Sequence, residues 1–372
     1  MKILISANVL FTVINFRKDL INFFIEKGYE VVCVANTDNL STDYDTIIKE
    51  LKIKFIKINL DRKGINPIKD LSYMYNLVKI YRGERPDIIM HFTIKPNIYG
   101  TIASKIAGIP SLNTINGLGS AIIKENTLSK ILKYLYKFSL MFSTKVFFQN
   151  NDDLNFFVLN NLINIKKTSI VPGSGVNTSI FEKCNTGNKQ MTFMLVSRLL
   201  KDKGIYEYID AIKLFRKTNK NCVFLLGGQF DFDNPSSIQK KEVSEWEKEK
   251  IIKYVGQTDN IKNFFKISDV IVLPSYREGL SRLLIEAASS SKPIITTNVA
   301  GCKDVVKDEY NGYLCNVKDA SSLSQCIEKM SKLSKLELDT MGKLSNKIAK
   351  TKFDKDIVNK IYFKEVTQVC IT

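Results

Sequence analysis

The chain alternates short apolar runs with segments of helical length, and this pattern restarts once after the polar stretch at 183–190. Uninterrupted apolar strands separated by helix-length segments are typical of a parallel sheet covered by helices on both faces. The sequence therefore predicts an α/β protein with two doubly wound, Rossmann-like domains in tandem. The strand-like runs lie at 2–7, 30–35, 54–60, 87–92, 111–115, 145–150 and 168–172, and then at 191–197, 222–228, 251–256, 270–275 and 293–298.

Length supports the same division, because 372 residues exceed what one hydrophobic core usually holds. The segment "EKCNTGNKQ" at 182–190 has the composition of a linker. We therefore predict a first domain at 1–183 that also includes 355–372, and a second domain at 184–354.

Cysteine and histidine content limits the chemistry. The seven cysteines are scattered and never form a C-x-x-C pair, which indicates reduced thiols and neither a disulfide framework nor a zinc site. His91 is the only histidine, so a histidine-based metal site or a Ser-His-Asp triad could form only around it. No apolar run reaches the roughly 18–20 residues of a membrane-spanning helix. The N-terminus also lacks a small-residue cleavage site, and both features predict a cytoplasmic protein.

A net charge of +17 predicts an anionic partner, which could be nucleic acid, anionic lipid or a phosphorylated ligand. The absence of a known nucleic-acid-binding module disfavours the first. The segment 126–145 could form a basic amphipathic helix with Lys130, Lys133 and Lys137 on one side. Such a helix either lies on an anionic membrane or packs on its own domain with solvated lysines, and both readings stay open. Its predicted apolar stripe comprises Leu128, Ile131, Leu132, Leu135 and Phe138.

The stretch "SYREGLSRLLIEA" follows a predicted strand, and doubly wound sheets bind ligands at the carboxyl ends of their strands. Glu278 falls in the loop, and Glu286 in the second turn of a helix that begins near Ser281. Gly279 allows close backbone approach, and the N–H groups of 280–283 at the helix start favour an anion. Ribose hydroxyls could satisfy a half-buried Glu286. The alternative is that both are ordinary surface carboxylates.

The segment "SRLLKDKG" at 197–204 follows the first strand of the second domain. Arg198 and Lys203 are two cations at the same predicted edge of the sheet as Glu278, which suits a diphosphate ligand. A solvated basic loop is the alternative, but the shared edge favours one joint site.

These two segments together resemble the family 4 retaining glycosyltransferases of GT-B fold, whose E-x7-E motif is matched by Glu278 and Glu286. "VGQTDNIKNFFKISDVIVLPS" and "GCKDVVKDEYNGYLC" support the resemblance. The closing "FDKDIVNKIYFKEV" resembles the family's terminal helix, which crosses back to the first domain. In the first half, "HFTIKPNIYGTIASKIAGIPSLNTINGLGS" resembles the branch that adds N-acetylgalactosamine and related sugars to undecaprenyl-diphosphate-linked intermediates. The resemblance implies two Rossmann-like domains facing each other across a cleft.

The resemblance also implies a UDP-sugar donor site in the second domain. Arg198 and Lys203 would hold the diphosphate and, with Glu278 on the donor sugar, form the catalytic set. Glu286 would bind the ribose hydroxyls, and Thr258 to Ile261 would frame the base. No cofactor or metal is expected, since fixed cations and a helix dipole can replace one electrostatically. The backbone amides expected to bind phosphate belong to Gly279, Leu280, Ser281, Arg282 and Leu283.

For the acceptor, a polyprenyl-diphosphate-linked saccharide, the resemblance implies contacts in the first domain. Arg17 is a candidate for binding its diphosphate. Lys95 follows the predicted strand 87–92 and His91 lies near the end of that strand, so both are candidates for acceptor contact. A structural role remains the alternative for His91. Asn116, before Gly117, stands where the family often has a histidine, and an asparagine cannot act as a general base.

We therefore expect a peripheral enzyme on the inner face of the bacterial plasma membrane. It would transfer a hexosamine-type sugar from a UDP-sugar, with retention and without metal, during capsule, O-antigen (lipopolysaccharide) or glycoprotein glycan assembly. The alternatives are another nucleotide-sugar enzyme of GT-B fold, such as an epimerase, or a non-catalytic nucleotide-sugar-binding member. A dinucleotide oxidoreductase is disfavoured because no G-x-G-x-x-G follows the first strand.

Overall fold

The structure is a computed structural model. It describes residues 1–37, 44–61, 64, 66–123, 126–183, 186–219, 221–232 and 234–371, with backbone only at 44, 45, 120, 121, 370 and 371. Cys184 and the Cys370 side chain therefore lie outside the described part of the chain. The remaining cysteines are free thiols, as predicted: Cys33, Cys222, Cys302, Cys315 and Cys326.

The chain divides into two compact units. Unit 1 comprises Met1–Gly175 and Lys355–Thr372, and unit 2 comprises Val176–Asp354. The sequence places the first division later, at 183/184, within a polar segment of which 184 and 185 are outside the described residues.

The earlier division has a physical cause in the pairing of two distant segments. The Val176 N–H donates to the Phe353 carbonyl (3.0 Å), and the Thr178 hydroxyl donates to the Asp354 carboxylate (2.5 Å). Phe181 is buried in a core cluster of unit 2. The chain therefore joins unit 2 before its composition becomes polar.

Unit 1 is built on a parallel sheet whose strand order over the described residues is β3-β2-β1-β4-β5-β6-β7. The order runs outward from β1 in both directions, so the topological switch lies between β1 and β4. Ligands of such sheets bind at the carboxyl ends of the strands beside this switch. The strands are β1 (Lys2–Val9), β2 (Glu30–Asn36), β3 (Lys54–Lys57), β4 (Ile88–Phe92), β5 (Ser111–Ile115), β6 (Lys145–Phe148) and β7 (Thr168–Ile170).

Helices cover this sheet, and their buried faces form its core with the strands. A π-helical turn, Pro96–Gly100, leads into the fourth helix. The last helix of the chain packs with unit 1, where Val358, Tyr362 and Val366 join the core beside the first helix. The helices are α1 (Leu10–Glu26), α2 (Tyr44–Glu50), α3 (Pro67–Glu84), α4 (Thr101–Ala107), α5 (Gly119–Ile123), α6 (Thr127–Leu140), α7 (Asn151–Leu159) and, at the end of the chain, α14 (Lys355–Ile371).

Unit 2 repeats the plan with a parallel sheet of order β10-β9-β8-β11-β12-β13 over its described residues. Its switch lies between β8 and β11. The strands are β8 (Met191–Val196), β9 (Cys222–Gly227), β10 (Lys253–Tyr254), β11 (Val270–Leu273), β12 (Ile294–Thr297) and β13 (Gly312–Cys315). The helices are α8 (Ile205–Phe215), α9 (Lys240–Lys248), α10 (Lys262–Lys266), α11 (Arg282–Ser289), α12 (Ala320–Ser331) and α13 (Lys335–Ile348).

The predicted fold class is confirmed, since both units are Rossmann-like parallel sheets covered by helices. The predicted strands are all present, although 251–256 shrinks to the two-residue edge strand β10. The sequence analysis missed β13, the outer strand beside β12. Among the described residues, no helix is both long and apolar enough to cross a bilayer.

Candidate functional site

The turn between β11 and α11 holds Glu278 at the carboxyl edge of the unit 2 sheet. The Ser281 side chain caps α11 by accepting a hydrogen bond from the Leu284 N–H (3.5 Å). The loop after β12 braces the turn, because the Glu278 N–H donates to the Ala300 carbonyl (3.1 Å) and the Ser281 N–H to the Gly301 carbonyl (3.0 Å). The helix start predicted near Ser281 is therefore correct, but this amide is already bonded within the protein.

Two glycines allow the loops at this edge to approach each other. Gly301 has a φ of +75°, and a Cβ there would lie 2.5 Å from the Glu278 carbonyl oxygen. Gly204, with a φ of +73°, would place a Cβ 2.0 Å from the Pro274 carbonyl oxygen. Both the left-handed backbone and the close contact exclude a side chain. Gly204 follows Lys203 directly, so this approach brings Lys203 beside the Glu278 turn.

Lys203 and Glu278 form an ion pair across the switch point of the sheet. Lys203 ends the 3₁₀ turn Lys201–Lys203 after β8, and its Nζ lies 2.7 Å from Glu278 Oε1. The Ser275 hydroxyl donates to the same carboxylate oxygen at 2.9 Å. The side chains of Lys203 and Glu278 are 14% and 21% exposed, so both charges are partly desolvated yet open to a ligand. The structure thus brings together two of the residues that the sequence placed at this edge, Lys203 and Glu278.

Arg198, the second predicted cation, reaches a different carboxylate. Its Nη1 lies 3.1 Å from Asp231 Oδ2, and its side chain is 62% exposed. Asp231 belongs to the loop after β9, and the Leu199 N–H donates to the Gln229 carbonyl of that loop (2.9 Å). Arg198 therefore lies at the predicted edge, held by a residue that the sequence analysis did not identify.

Glu286 lies one helical turn along α11 from Arg282. Arg282 Nε donates to Glu286 Oε1 at 2.7 Å, and the Glu286 side chain is mostly buried. Burial raises the pKa of Glu286 above its ordinary value, and the nearby Arg282 guanidinium partly opposes that rise. The expected half-buried position of Glu286 is observed, with a protein cation as its partner.

Three cations at this edge are each paired with a carboxylate: Arg198 with Asp231, Lys203 with Glu278 and Arg282 with Glu286. A diphosphate could replace a carboxylate beside each cation, and charge-assisted bonds to phosphate are among the strongest available to a protein. The arrangement can therefore bind a polyanion without leaving charges uncompensated in its absence. Among the described residues, no cluster of three or more His, Cys, Asp or Glu side chains could hold a metal ion.

The region predicted to frame a base lies in the loop after β10. Thr258 Oγ1 accepts from the Asn260 N–H (3.1 Å) in a local turn, and Ile261 precedes α10. The Gly256 carbonyl accepts from the Gly228 N–H at 2.7 Å, so this loop adjoins the loop after β9. Thr258 and Ile261 are therefore at the carboxyl edge, separated from the Glu278 turn by the strands β9 and β8.

In unit 1, Arg17 and Asn116 meet beneath the carboxyl ends of β4 and β5. Arg17 is 2% exposed, its Nη2 donates to Asn116 Oδ1 (3.0 Å), and its guanidinium carbon lies 4.0 Å from the Phe92 ring centroid. Gln149 also donates to Asn116 Oδ1 (3.4 Å). Gly117 follows with a φ of +139°. Arg17 is thus a buried cation with defined partners, and the structure shows it less accessible than the sequence suggests.

His91 differs from its predicted place. It is 0% exposed within β4, a Cβ on Gly100 would lie 2.6 Å from its ring, and Tyr81 lies beside it. Burial lowers the pKa of His91 to about 3, so the imidazole stays neutral. The structure favours the structural alternative for this histidine.

Lys95 also has a partner inside unit 1, the carboxylate of Asp70. Its Nζ lies 2.5 Å from Asp70 Oδ1, and the Tyr99 hydroxyl donates to the other carboxylate oxygen (3.0 Å). Both charged side chains are about nine-tenths buried. A direct contact between Lys95 and an acceptor would require this ion pair to open, which the sequence did not indicate because Asp70 comes from α3.

Two protein-family models match most of the chain. Residues 176–350 match the family described as glycosyl transferases group 1, and residues 2–150 match the family described as glycosyl transferase 4-like. The two matches correspond to unit 2 and unit 1. The chain belongs to the GT-B glycosyltransferases.

Relatives of this glycosyltransferase include three whose names describe related reactions or pathways. An N,N'-diacetylbacillosaminyl-diphospho-undecaprenol alpha-1,3-N-acetylgalactosaminyltransferase of Campylobacter jejuni is 25% identical, with 95% of each chain covered. A UDP-Gal:alpha-D-GlcNAc-diphosphoundecaprenol alpha-1,3-galactosyltransferase of Escherichia coli is 27% identical over 70% of each chain. The capsular polysaccharide biosynthesis glycosyltransferase CapM of Staphylococcus aureus is 25% identical, with 91% of this chain and 90% of CapM covered.

Solved structures share the fold. A glycosyltransferase from Rickettsia africae superposes with a TM-score of 0.80 at 18% identity, covering 99% of this chain and 98% of that one. Anabaena HepE in complex with UDP and glucose also gives 0.80, at 17% identity, covering 99% and 100%. At these identities the likeness shows the GT-B architecture.

Sequence reasoning missed several residues that shape the edges of the glycosyltransferase units: Asp231, Ala300 and Gly301 in unit 2, and Asp70 and Gln149 in unit 1. Asp231, Ala300 and Gly301 lie just beyond the carboxyl ends of predicted strands, so the rule that ligands bind at those ends could have identified them. Gln149 falls inside the predicted run 145–150, although the observed strand β6 ends at Phe148. Asp70 has no such signal, because it lies in the first turn of α3.

Proposed function

We propose that this glycosyltransferase transfers a hexosamine-type sugar from a UDP-sugar to a polyprenyl-diphosphate-linked saccharide, with retention and without a metal ion. The observation that supports the donor side is the Lys203–Glu278 pair at the switch point of the unit 2 sheet. Arg198 and Lys203 suit the diphosphate, and Glu286 suits the ribose hydroxyls. Relatives named for GalNAc or galactose transfer to undecaprenyl-diphosphate-linked sugars, and the HepE complex with UDP, support the substrate classes.

In the proposed reaction, the bond between the anomeric carbon and the β-phosphate oxygen breaks, and a bond to an acceptor hydroxyl oxygen forms on the same face. The acceptor proton passes to the departing diphosphate oxygen. Lys203 and Arg198 stabilise the charge that grows on UDP, which is the stabilisation that accelerates the step. Glu278 then faces the donor sugar once the diphosphate takes over Lys203.

The test is UDP release by the purified protein with a panel of UDP-sugars and a short polyprenyl-diphosphate saccharide, in chelator and in divalent metal. We expect release that depends on the acceptor and persists in chelator. No release with any pair, with or without metal, would contradict the transferase proposal. Release that needs metal would contradict metal independence alone.

We further propose that α6 holds the enzyme on the inner face of the plasma membrane. The exposed apolar residues Ile131, Tyr134 and Phe138 of α6, with Met141 directly after the helix, are here called the α6 patch. Lys130 and Lys137 are exposed along one flank of it, whereas Lys133 turns toward α7 and lies 3.3 Å from Asn160 Oδ1. Apolar side chains flanked by lysines suit an anionic bilayer, at about 1 kcal/mol per lysine near the surface.

This arrangement corrects the predicted apolar stripe. Ile131 and Phe138 are exposed, whereas Leu132 and Leu135 are half-buried against a core cluster of unit 1. Leu128 is also half-buried. One apolar side of the helix is thus packed inward, and the exposed side is the one on which the membrane proposal rests.

Sedimentation with vesicles that contain anionic lipid tests the patch. Exchanging Lys130 and Lys137 for Gln, or Tyr134 and Phe138 for Ser, should release the protein, and added salt should release the wild type. Lys241 and Lys248 are exposed on α9, and their exchange for Gln is the matched control. Vesicle binding that neither set of changes affects would contradict the proposal.

A further inference from the structure

An exposed aromatic pair lies beside the proposed diphosphate site. The rings of Phe230 and Phe232 stack with centroids 5.3 Å apart and an interplanar angle of 7°. Phe232 is 56% exposed, while Phe230 packs edge-on against Tyr254 at 5.6 Å. Lys240 Nζ lies 5.9 and 5.5 Å from the two ring centroids. We call Phe230 and Phe232 the aromatic platform.

The platform is joined to the donor edge by an ion pair and by backbone hydrogen bonds. Asp231, between the two phenylalanines, forms the ion pair with Arg198. The surrounding loop is also bonded to the strand-end segment of Arg198, since the Ile238 N–H donates to the Leu199 carbonyl (2.9 Å). The exposed ring of Phe232 is therefore next in sequence to Asp231, the partner of Arg198, which is proposed to bind the diphosphate.

The face of the unit 2 sheet on which the platform lies indicates which part of a substrate could bind to it. Phe230 and Tyr254 pack on the core cluster that contains α8 and α9. Ile261 and the buried face of α11, the helix that carries Glu286, belong to the cluster on the other face. A nucleotide with its ribose on Glu286 and its base near Ile261 would direct the base away from the platform.

We propose that the aromatic platform binds a pyranose ring of a saccharide substrate. The apolar face of the sugar would lie on Phe232, and the Asp231 carboxylate and Lys240 ammonium would bond to its hydroxyls. An aromatic face flanked by charged hydrogen-bonding groups matches a ring with one C–H face and equatorial hydroxyls. The sugar comes either from the donor or from the acceptor. The proposal rests on the proposed function for the choice of saccharides.

Phe232→Ala is the test, with Phe232→Trp as the conservative variant. If the acceptor sugar occupies the platform, Phe232→Ala should raise the KM for the acceptor about three- to tenfold. If the donor sugar occupies it, the KM for the UDP-sugar should rise by that factor while the Kd for UDP alone stays unchanged. Phe232→Trp should restore most of the lost affinity in either case.

Tyr310→Ala is the matched control, since Tyr310 is an exposed aromatic with the Lys307 ammonium 4.9 Å from its ring centroid, in the turn before β13. It should change neither KM. Unchanged KM values in Phe232→Ala, or an equal loss of UDP affinity that reveals a structural role, would overturn the proposal.

A binding measurement separates this proposal from the transferase proposal. Saturation-transfer NMR with methyl glycosides of N-acetylgalactosamine, N-acetylglucosamine, galactose and glucose, in the presence of UDP, needs no turnover. We expect transfer to the C–H face of at least one glycoside in the wild type and its loss in Phe232→Ala. No transfer to any glycoside, or equal transfer in both proteins, would overturn the platform even if the enzyme releases UDP.

Discussion

Lys203 Nζ and Glu278 Oε1 lie 2.7 Å apart, although the two residues follow different strands on either side of the sheet switch. Their pairing depends on the close approach of Gly204 to Pro274 and on the brace that the Gly301 loop provides. We infer that this pair is the centre of the donor site and that the diphosphate displaces Glu278 from Lys203.

Lys203→Gln should weaken UDP binding about 10- to 100-fold, because it removes a charge-assisted bond worth roughly 1.5–3 kcal/mol. Isothermal titration with UDP in the absence of acceptor measures this. Lys201→Gln is the control, since Lys201 is an exposed cation of the same turn whose Nζ lies over the Tyr206 ring. Equal UDP affinities in Lys203→Gln and the wild type would remove Lys203 from the donor site.

Asp231→Asn should tighten UDP binding about two- to fivefold. Asp231 competes with the diphosphate for Arg198, and an exposed ion pair of this kind is worth only about 0.2–1 kcal/mol. Glu309→Gln, which breaks the exposed pair with Lys329, is the control and should leave UDP binding unchanged. Weaker binding in Asp231→Asn would mean that Asp231 orients Arg198 for the ligand instead of competing.

Glu286 should make ribose recognition sensitive to acid. Burial raises the pKa of Glu286, so its carboxylate protonates at a higher pH than an exposed glutamate and then loses its charge-assisted bonds to hydroxyls. We expect the preference for UDP over 2′,3′-dideoxy-UDP to fall as the pH drops from neutral to acidic. The ratio cancels the titration of the phosphate. A pH-dependent ratio that persists in Glu286→Gln would assign the effect to another group.

Gly301→Ala should disturb the Glu278 turn. A side chain would meet the Glu278 carbonyl and strain a backbone with a φ of +75°, at a cost of about 1–3 kcal/mol. Weaker UDP binding and a lower denaturation midpoint should follow. Gly28→Ala is the control, since Gly28 has a φ of +81° but nothing within 4 Å of the added Cβ. Gly28→Ala should leave UDP binding intact, and an intact affinity in Gly301→Ala would contradict the bracing role.

The fold could be predicted because continuous apolar runs are required wherever a parallel strand is buried on both faces. β13 was not predicted, because its sequence "GYLC" is short and Leu314 is only half-buried. Arg198, Lys203 and Glu278 were placed at one edge of the unit 2 sheet, as observed, because that placement depends only on where strands end. The contact of Arg198 with Asp231 was not predicted.

The side-chain partners could not be predicted, because they come from elements distant in sequence. Lys95 meets Asp70 of α3, and Arg198 meets Asp231 of a loop, so both partners depend on how the elements pack. The α6 stripe was misread for a related reason. Ser129 is buried on the inward side, where its hydroxyl donates to the Ile122 carbonyl (2.7 Å), so apolar periodicity alone misplaces that face.

The most direct test of the proposed reaction is the mass and anomeric configuration of the lipid product formed by the purified protein. The substrates are UDP-N-acetylhexosamines and a short polyprenyl-diphosphate saccharide, in chelator. We expect a product heavier by one N-acetylhexosamine, in the α configuration of the donor. Glu278→Gln should form it about a hundredfold more slowly, on the order expected for loss of a transition-state contact. A lipid acceptor left unmodified by the wild type, with every donor of the panel, would contradict the proposed reaction.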